Sequence, residues 1–249
     1  LIPKELPFIA PLPEGSVVFL YDRERDHVLG KSAGDEFAER NPAMADRIFV
    51  FDLKRNKGHD IHGRLWCQLL ISILLGRVAA ITAGPNCRSW SVLLNRVVEG
   101  KSPPVRKRSD PWTYAGGSET GPSFWQNWLD KESLLLIKPL FLLVVAKYVG
   151  IGREKPVAYL LEHPEDPEKF PERKREFLSE TECLTPNPSV WDTEFIKQAE
   201  VFLQGECQSF DQGPLGHYAR KGTTVFTNLP ISLEAVSYTH LTLPTILLV

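Results

Sequence analysis

Residues 64–82, RLWCQLLISILLGRVAAIT, decide the fold class of this chain. From Arg64 to Leu75 apolar side chains recur at helical spacing, and Gly76 follows as the residue type that most often ends a helix. The short apolar run at residues 78–82 then has the length of a buried strand. The stretch therefore predicts a helix that returns the chain to a sheet, which is the repeating unit of α/β proteins.

The same alternation extends in both directions from this stretch. Before it, residues 17–21 and 47–51 predict strands, and residues 34–40 predict a short helix between them. After it, we predict an inserted loop at 97–130, helices at 133–150 and 191–203, and strands at 157–161 and 223–228. This order predicts a doubly wound, mostly parallel, Rossmann-like sheet, whose ligands bind at the carboxyl ends of the strands.

Length and composition indicate one globular domain over residues 1–234. The chain has 249 residues, 43% of them hydrophobic, and a formal net charge of −2. A charge so near balance argues against a protein coated in nucleic acid, so any DNA contact must be local. The four cysteines form no C-x-x-C pair and follow no signal peptide. We therefore expect an intracellular protein with no disulfide framework and no metal site.

The apolar stretch at 133–150 is not expected to cross a membrane. Lys138, Pro139 and Lys147 interrupt it, whereas a membrane span needs about 20 residues with few or no charges. We interpret it as a buried helix that is kinked at its proline.

Both ends of the chain look artificial. No methionine precedes Leu1, so we expect the domain to be incomplete at its start. Residues 235–249 resemble a translated sequencing adapter and are set aside from the fold. The alternative is that they form a real strand, because they are rich in strand-favouring residue types.

Two carboxylates follow the second predicted strand. Asp52 stands at its end, where an acidic side chain can accept hydrogen bonds from the ribose hydroxyls of a nucleoside cofactor. Asp60 lies eight residues further on and can accept a hydrogen bond from the amine of an adenine ring. The alternative for Asp52 is a turn or helix cap.

The third predicted strand leads to a candidate nucleophile. Gly84 and Pro85 form a turn that delivers Cys87 just before a predicted short helix, whose dipole would lower the thiol pKa. The next strand leads to Glu162, so we expect a thiol and a carboxyl group from neighbouring strand ends to face one pocket. The alternatives are a small buried cysteine and a glutamate that caps the turn before Pro164.

Three segments, taken in this order, resemble motifs of the cytosine-5 DNA methyltransferases. Residues 84–91, GPNCRSWS, look like the Pro-Cys motif of that family, residues 162–164, EHP, like its Glu-Asn-Val motif, and residues 210–221 like its later Gly-and-Arg motif. Gly216 and the Lys221-Gly-Thr223 segment are similar to a divergent protist branch, some members of which are associated with retroelements. The likeness covers residues 47–230.

The resemblance implies a class I methyltransferase-like fold that transfers a methyl group from S-adenosylmethionine to cytosine. It implies that Cys87 adds to C6 of the base while Glu162 holds N3. The residues implied to bind the cofactor are Asp52, Asp60, Gly84 and Pro85.

The resemblance also implies a DNA partner whose target base is flipped out of the duplex, and a nuclear location in a eukaryote. Aromatic side chains between Trp112 and Trp128 offer stacking surfaces, unless they pack back onto the core. The cations assigned to nucleic acid are Arg88, Arg106, Lys107, Arg108, Arg220 and Lys221.

Two features leave other functions open. The family has glycines after its first strand, whereas residues 18–26 contain none, so we expect no turn with positive φ there. This departure suits a non-catalytic nucleic-acid-binding or retroelement-associated domain that has lost its cofactor site. The neighbour of Glu162, His163, leaves open a Cys-His hydrolase that would use Cys87 and His163.

Overall fold

The computed structural model describes residues 9–22, 32–96, 104–116, 122–151, 156–176, 178–212 and 222–231. They form a mixed α/β structure that divides into two compact units. Unit 1 comprises residues 1–83 and 141–159, and unit 2 comprises residues 84–140 and 160–249. The strands are β1 Ser16–Leu20, β2 Ile48–Phe51, β3 Val78–Ala83, β4 Ala158–Pro164, β5 Glu206–Asp211 and β6 Gly222–Thr227. The α-helices are α1 Ala33–Arg40, α2 Arg64–Leu74, α3 Pro122–Val149, α4 Pro171–Arg175, α5 Glu180–Cys183 and α6 Glu194–Leu203.

Unit 1 is built on three parallel strands in the order β2-β1-β3. Val17 of the central strand lies opposite Ile48 of β2 and Ala80 of β3. Every residue of β1 is buried, as expected of a parallel strand with neighbours on both sides. The turns that follow β1 and β2 therefore lie at the same end of this part of the sheet.

The helices that follow β1 and β2 each depend on one glycine, in α1 for close packing and after α2 for ending the helix. A Cβ added to Gly34 of α1 would lie 2.6 Å from Cγ2 of Val50 and 3.0 Å from Cγ of Phe19, so only glycine allows the helix to approach the sheet this closely. Gly76 follows the end of α2 with φ of 70°, which confirms its predicted role in ending that helix.

Unit 2 contains three antiparallel strands in the order β4-β6-β5. Glu162 of β4 lies opposite Val225 of the central strand, and Phe210 of β5 lies opposite Thr223. The described side chains of β6 after Gly222 are buried, and α6 adds the buried Ile196. The carboxyl ends of β4 and β5 therefore lie at the end of the sheet where β6 begins.

The predicted α/β alternation is confirmed, with corrections to particular elements. Parallel pairing is observed in unit 1, whereas the pairs within unit 2 are antiparallel. β4 extends to Pro164, so Glu162 lies inside a strand rather than beyond its end. α3 takes in residues 122–130 of the predicted loop, because Pro122 is a favourable first residue of a helix, and it continues past Pro139. β5, with the mostly polar sequence ECQSFD, has no apolar alternation that predicts it.

Among the described residues no helix has both the length and the hydropathy that a membrane crossing requires. Residues 235–249, which were interpreted as adapter-derived, lie outside the described part of the chain.

Candidate functional site

The three segments that carry the family resemblance meet at the carboxyl group of Glu162. A Cβ added to Gly84, just after β3, would lie 3.4 Å from Oε2 of Glu162, so this carboxyl group lies against the backbone of the turn that leads to Cys87. Oε1 of Glu162 accepts a hydrogen bond of 3.4 Å from Nε2 of Gln212, which follows β5. One residue from each predicted motif therefore contributes to a single half-buried carboxyl environment in unit 2.

Cys87 follows the buried Pro85 and is itself half-buried. It precedes a single 3₁₀ turn, Arg88–Trp90, and its carbonyl accepts a hydrogen bond of 2.9 Å from the Trp90 amide. The predicted short helix after Cys87 is therefore a single 3₁₀ turn, which has fewer aligned peptide dipoles than an α-helix.

Glu132 of α3 is a site residue that the sequence analysis did not identify. Its Oε1 accepts a hydrogen bond of 3.2 Å from Nδ2 of Asn86, whose Oδ1 accepts one of 3.1 Å from the Arg88 amide. Burial raises the pKa of Glu132, and the Asn86 hydrogen bond and the charges of Arg106 and Arg88 oppose this rise. In the sequence Asp130-Lys-Glu132 looks like a solvated helix face, so no local signal marks this carboxylate.

Arg106, predicted to bind nucleic acid, is instead an internal residue that is 1% exposed. Its guanidinium group donates hydrogen bonds to Oγ of Ser89 at 2.9 Å, to Oγ of Ser133 at 3.2 Å and to the carbonyl of Pro111. The same group stacks on the Trp90 ring, 4.1 Å from its centroid. These contacts fasten the segment after Cys87 to α3 and leave the guanidinium inaccessible to a phosphate.

Burial also changes the electrostatics of Arg106. It lowers the pKa of this residue to about 9, against the opposing charges of Glu132 and Asp130. Nε of Arg106 and Nε1 of Trp90 are buried without a hydrogen-bond partner among the described residues. The anchor behind Cys87 is therefore held mainly by the two terminal nitrogens of the guanidinium group.

Arg108, also predicted to bind nucleic acid, forms a bidentate ion pair with Asp166. Its terminal nitrogens donate to Oδ1 and Oδ2 at 2.8 and 2.9 Å, and it also contacts Asp192 and the carbonyl of Asn187. Burial alone would raise the pKa of Asp166, but hydrogen bonds from Arg108 and the Glu168 amide bring it below its usual value. These carboxylates occupy the guanidinium of Arg108, so the predicted contact with a phosphate would have to compete with them.

The remaining predicted nucleic-acid contacts divide into two groups. Arg88 and Lys107 are exposed, so both stay candidates for contact with a phosphate backbone. Arg220 and Lys221 lie outside the described residues.

The predicted stacking surface is partly internal. Trp112 packs edge-on against Trp90, with ring centroids 5.6 Å apart, which supports the interpretation that aromatic residues of the loop pack onto the core. By contrast, Phe124 is 69% exposed and Trp125 is 42% exposed, and the ring of Tyr114 stacks on Trp125. Those three residues keep an accessible aromatic surface.

The predicted cofactor carboxylates of unit 1 both stabilise turns. Asp52 accepts a hydrogen bond of 2.7 Å from the Lys54 amide, and Asp60 accepts one of 2.8 Å from the His62 amide. This arrangement is the turn-capping alternative considered for Asp52. Each carboxylate is half-buried.

The turn after β1 adopts positive φ without a glycine, contrary to expectation. Tyr21 has φ of 62° in the left-handed region, and burial together with the charge of Asp60 raises the pKa of its hydroxyl. Asp22 accepts hydrogen bonds from the amides of Gly34 at 2.6 Å and Ala33 at 3.3 Å. The carboxylate of Asp22 therefore occupies the amino terminus of α1, a position that attracts anions.

His163 belongs to the core of unit 2. It is 1% exposed, and its ring packs edge-on against Trp90 and Trp191, with centroids 6.0 and 6.3 Å away. This aromatic enclosure favours a packing role over the general base of a Cys-His hydrolase.

Within the ranges that the structure describes, no group of three or more His, Cys, Asp or Glu side chains is arranged to hold a metal ion. No family model matches the chain, and no curated protein matches it.

Proposed function

We propose that unit 2 carries the nucleophile site of a cytosine-5 DNA methyltransferase-like protein, with Cys87 as the nucleophile and Glu162 as the group that binds the base. The observation that supports this most is the meeting of Gly84, Glu162 and Gln212, which brings the three motif segments together. The exposed Arg88 beside the thiol offers a cation for the neighbouring phosphate.

The proposed chemistry begins with attack of the Cys87 thiolate on C6 of cytosine. A C6–S bond forms, the C5–C6 double bond opens, and the resulting negative charge spreads over C5 and N3. A hydrogen bond between the carboxyl group of Glu162 and N3 stabilises that charge. C5 then takes an electrophile, and loss of a proton from C5 expels the thiolate.

The turn after β1 does not fit S-adenosylmethionine in the way that a glycine-bearing turn does. Tyr21 and Asp22 place side chains there, and the Asp22 carboxylate already accepts hydrogen bonds from the amides at the start of α1. Asp52 and Asp60 remain as acceptors for ribose and adenine groups. We therefore restrict the proposed chemistry to addition of the thiolate, with a solvent proton as the electrophile at C5.

This restricted reaction has a direct assay. DNA that carries tritium at C5 of cytosine should release the label to water without any methyl donor, because each cycle of addition, protonation and elimination exchanges the hydrogen at C5. Cys87→Ser should reduce release to the buffer background, and Glu162→Gln should slow it by about 100-fold. Cys67→Ser, which changes an exposed cysteine of unit 1, is the matched control and should release label at the unmodified rate. Release that persists in Cys87→Ser would reject the proposal.

A second candidate function is a non-catalytic nucleic-acid-binding domain. The occupation of the α1 amino terminus by Asp22 favours it, because a chain that no longer binds the cofactor can fill that position with its own carboxylate. It predicts salt-dependent DNA binding that Cys87→Ser leaves unchanged and no tritium release by either protein.

A further inference from the structure

The segment around Cys87 is held from two sides by different chemistry. On one side Oγ of Ser89 accepts a hydrogen bond from Arg106, and the carbonyl of Ser89 accepts one of 2.9 Å from Nδ2 of Asn95. Arg106 and Asn95 are each 1% exposed. This anchor is internal, and its charged group, Arg106, is a cation.

The opposite anchor contains a carboxyl group. Glu132 accepts a hydrogen bond from Asn86, and Asn86 accepts one from the Arg88 amide, so the residues immediately before and after Cys87 belong to one network. We propose that Glu132 is a positioning residue for Cys87, which fixes the thiol-bearing segment through Asn86 and makes thiol reactivity depend on its own ionisation. The functional meaning rests on the proposed role of Cys87 as nucleophile.

The second carboxyl oxygen of Glu132 supports this role. Oε2 is buried and has no hydrogen-bond partner among the described residues, whereas Oε1 accepts from Asn86. A buried carboxyl oxygen that lacks a partner destabilises the ionised form. The charged groups that face Glu132 are Arg88 and Arg106, and they oppose this effect.

Ionisation of Glu132 has two consequences for Cys87. As a carboxylate, Glu132 is the stronger acceptor for Asn86 and holds the segment in place. Its negative charge, which lies against Asn86, the residue before Cys87, also opposes formation of the Cys87 thiolate. The two effects separate in different variants: Glu132→Gln keeps an oxygen for Asn86 and removes the charge, while Glu132→Ala removes both.

Alkylation of Cys87 by iodoacetamide, followed by mass spectrometry from about pH 6 to pH 10, measures these effects. Glu132→Gln should shift the alkylation profile to lower pH, with about two- to fivefold faster reaction at pH 7, because removal of a nearby negative charge favours the thiolate. Glu132→Ala should add a change in the plateau rate at high pH, since Asn86 is then released. Asn86→Ala, at an exposed position, should change that plateau in the same direction as Glu132→Ala. Glu206→Gln, an exposed carboxylate of β5, is the matched control and should follow the unmodified profile.

Superposition of the Glu132→Gln profile on the unmodified one would overturn the charge effect, and an unchanged plateau in Glu132→Ala would overturn the positioning role. Alkylation requires neither DNA nor a methyl donor, so its outcome is independent of the tritium assay. A shifted profile without tritium release would reject the proposed function and leave the positioning role intact. Tritium release with an unshifted Glu132→Gln profile and an unchanged Glu132→Ala plateau would reject the inference about Glu132 alone. Equal urea midpoints of the Gln variant and the unmodified protein would show that the shift does not come from unfolding.

Discussion

Replacing Arg106 with alanine is expected to destabilise the protein by about 3 kcal/mol. The three hydrogen bonds of its guanidinium, to Ser89, Ser133 and Pro111, contribute on the order of 1 kcal/mol each. Stacking on Trp90 contributes about 1–2 kcal/mol. Alanine also removes the desolvation cost of a buried cation, and this offsets the loss by on the order of 1–2 kcal/mol. The balance is a loss of about 3 kcal/mol.

Urea unfolding followed by tryptophan fluorescence measures this loss. With a slope of about 2–3 kcal/mol per molar urea, expected for a chain of this size, the midpoint should fall by about 1 M or slightly more. Lys107→Ala is the matched control, because Lys107 is the adjacent cation and is exposed. It should change the unfolding free energy by less than about 0.5 kcal/mol. An Arg106→Ala protein as stable as the control, with a weaker salt dependence of DNA binding, would refute the internal role and restore the phosphate contact.

Two further changes test other parts of the fold. Burial raises the pKa of Glu165 to about 7 although Arg173 opposes it; its acid form therefore contributes stability that is present below about pH 4.5 and is lost as pH rises through about 7. The urea midpoint of the unmodified protein should be lower at pH 8 than at pH 5, and this difference should be smaller in Glu165→Gln. An equal difference in the two proteins would contradict this. Gly34→Ala places a Cβ 2.6 Å from Val50 Cγ2 and should cost about 1–3 kcal/mol, whereas Gly63→Ala, exposed and with its nearest neighbour at 3.5 Å, should cost less than about 1 kcal/mol, as expected of alanine at an N-cap. Equal thermal midpoints for the two alanine variants would show that α1 can move away from the sheet.

Hydrophobic period was sufficient to predict most elements of the fold. The change from helical spacing to a short apolar run at Gly76 places α2 and β3 almost to the residue, because glycine in the left-handed region ends a helix by a local mechanism. β5 could not be found in this way, since its pairing with β6 supplies the stabilisation that its polar sequence lacks. The antiparallel direction of β6 is likewise a property of tertiary pairing and leaves no mark in residues 223–228.

The candidate site was predictable where chemistry follows strand order and unpredictable where it depends on burial. Cys87 and Glu162 were identified because they follow or lie within apolar strands. The burial of Arg106 and the ion pair of Arg108 could not be predicted, because a run of cations in a loop looks the same in sequence whether it faces solvent, the core or carboxylates. Glu132 was missed because its partner, Asn86, is 46 residues away along the chain.

The Asp22 carboxylate at the start of α1 has a consequence for any ligand with an anionic group. Because Asp22 is joined covalently to the sheet and lies 2.6 Å from the Gly34 amide, it competes with a free anion as an intramolecular ligand. Its effective concentration is on the order of millimolar or higher, and a free anion at this position would have to compete with it. Binding of an anionic group at this end of unit 1 would therefore be an exchange reaction, in which the incoming group replaces an internal competitor.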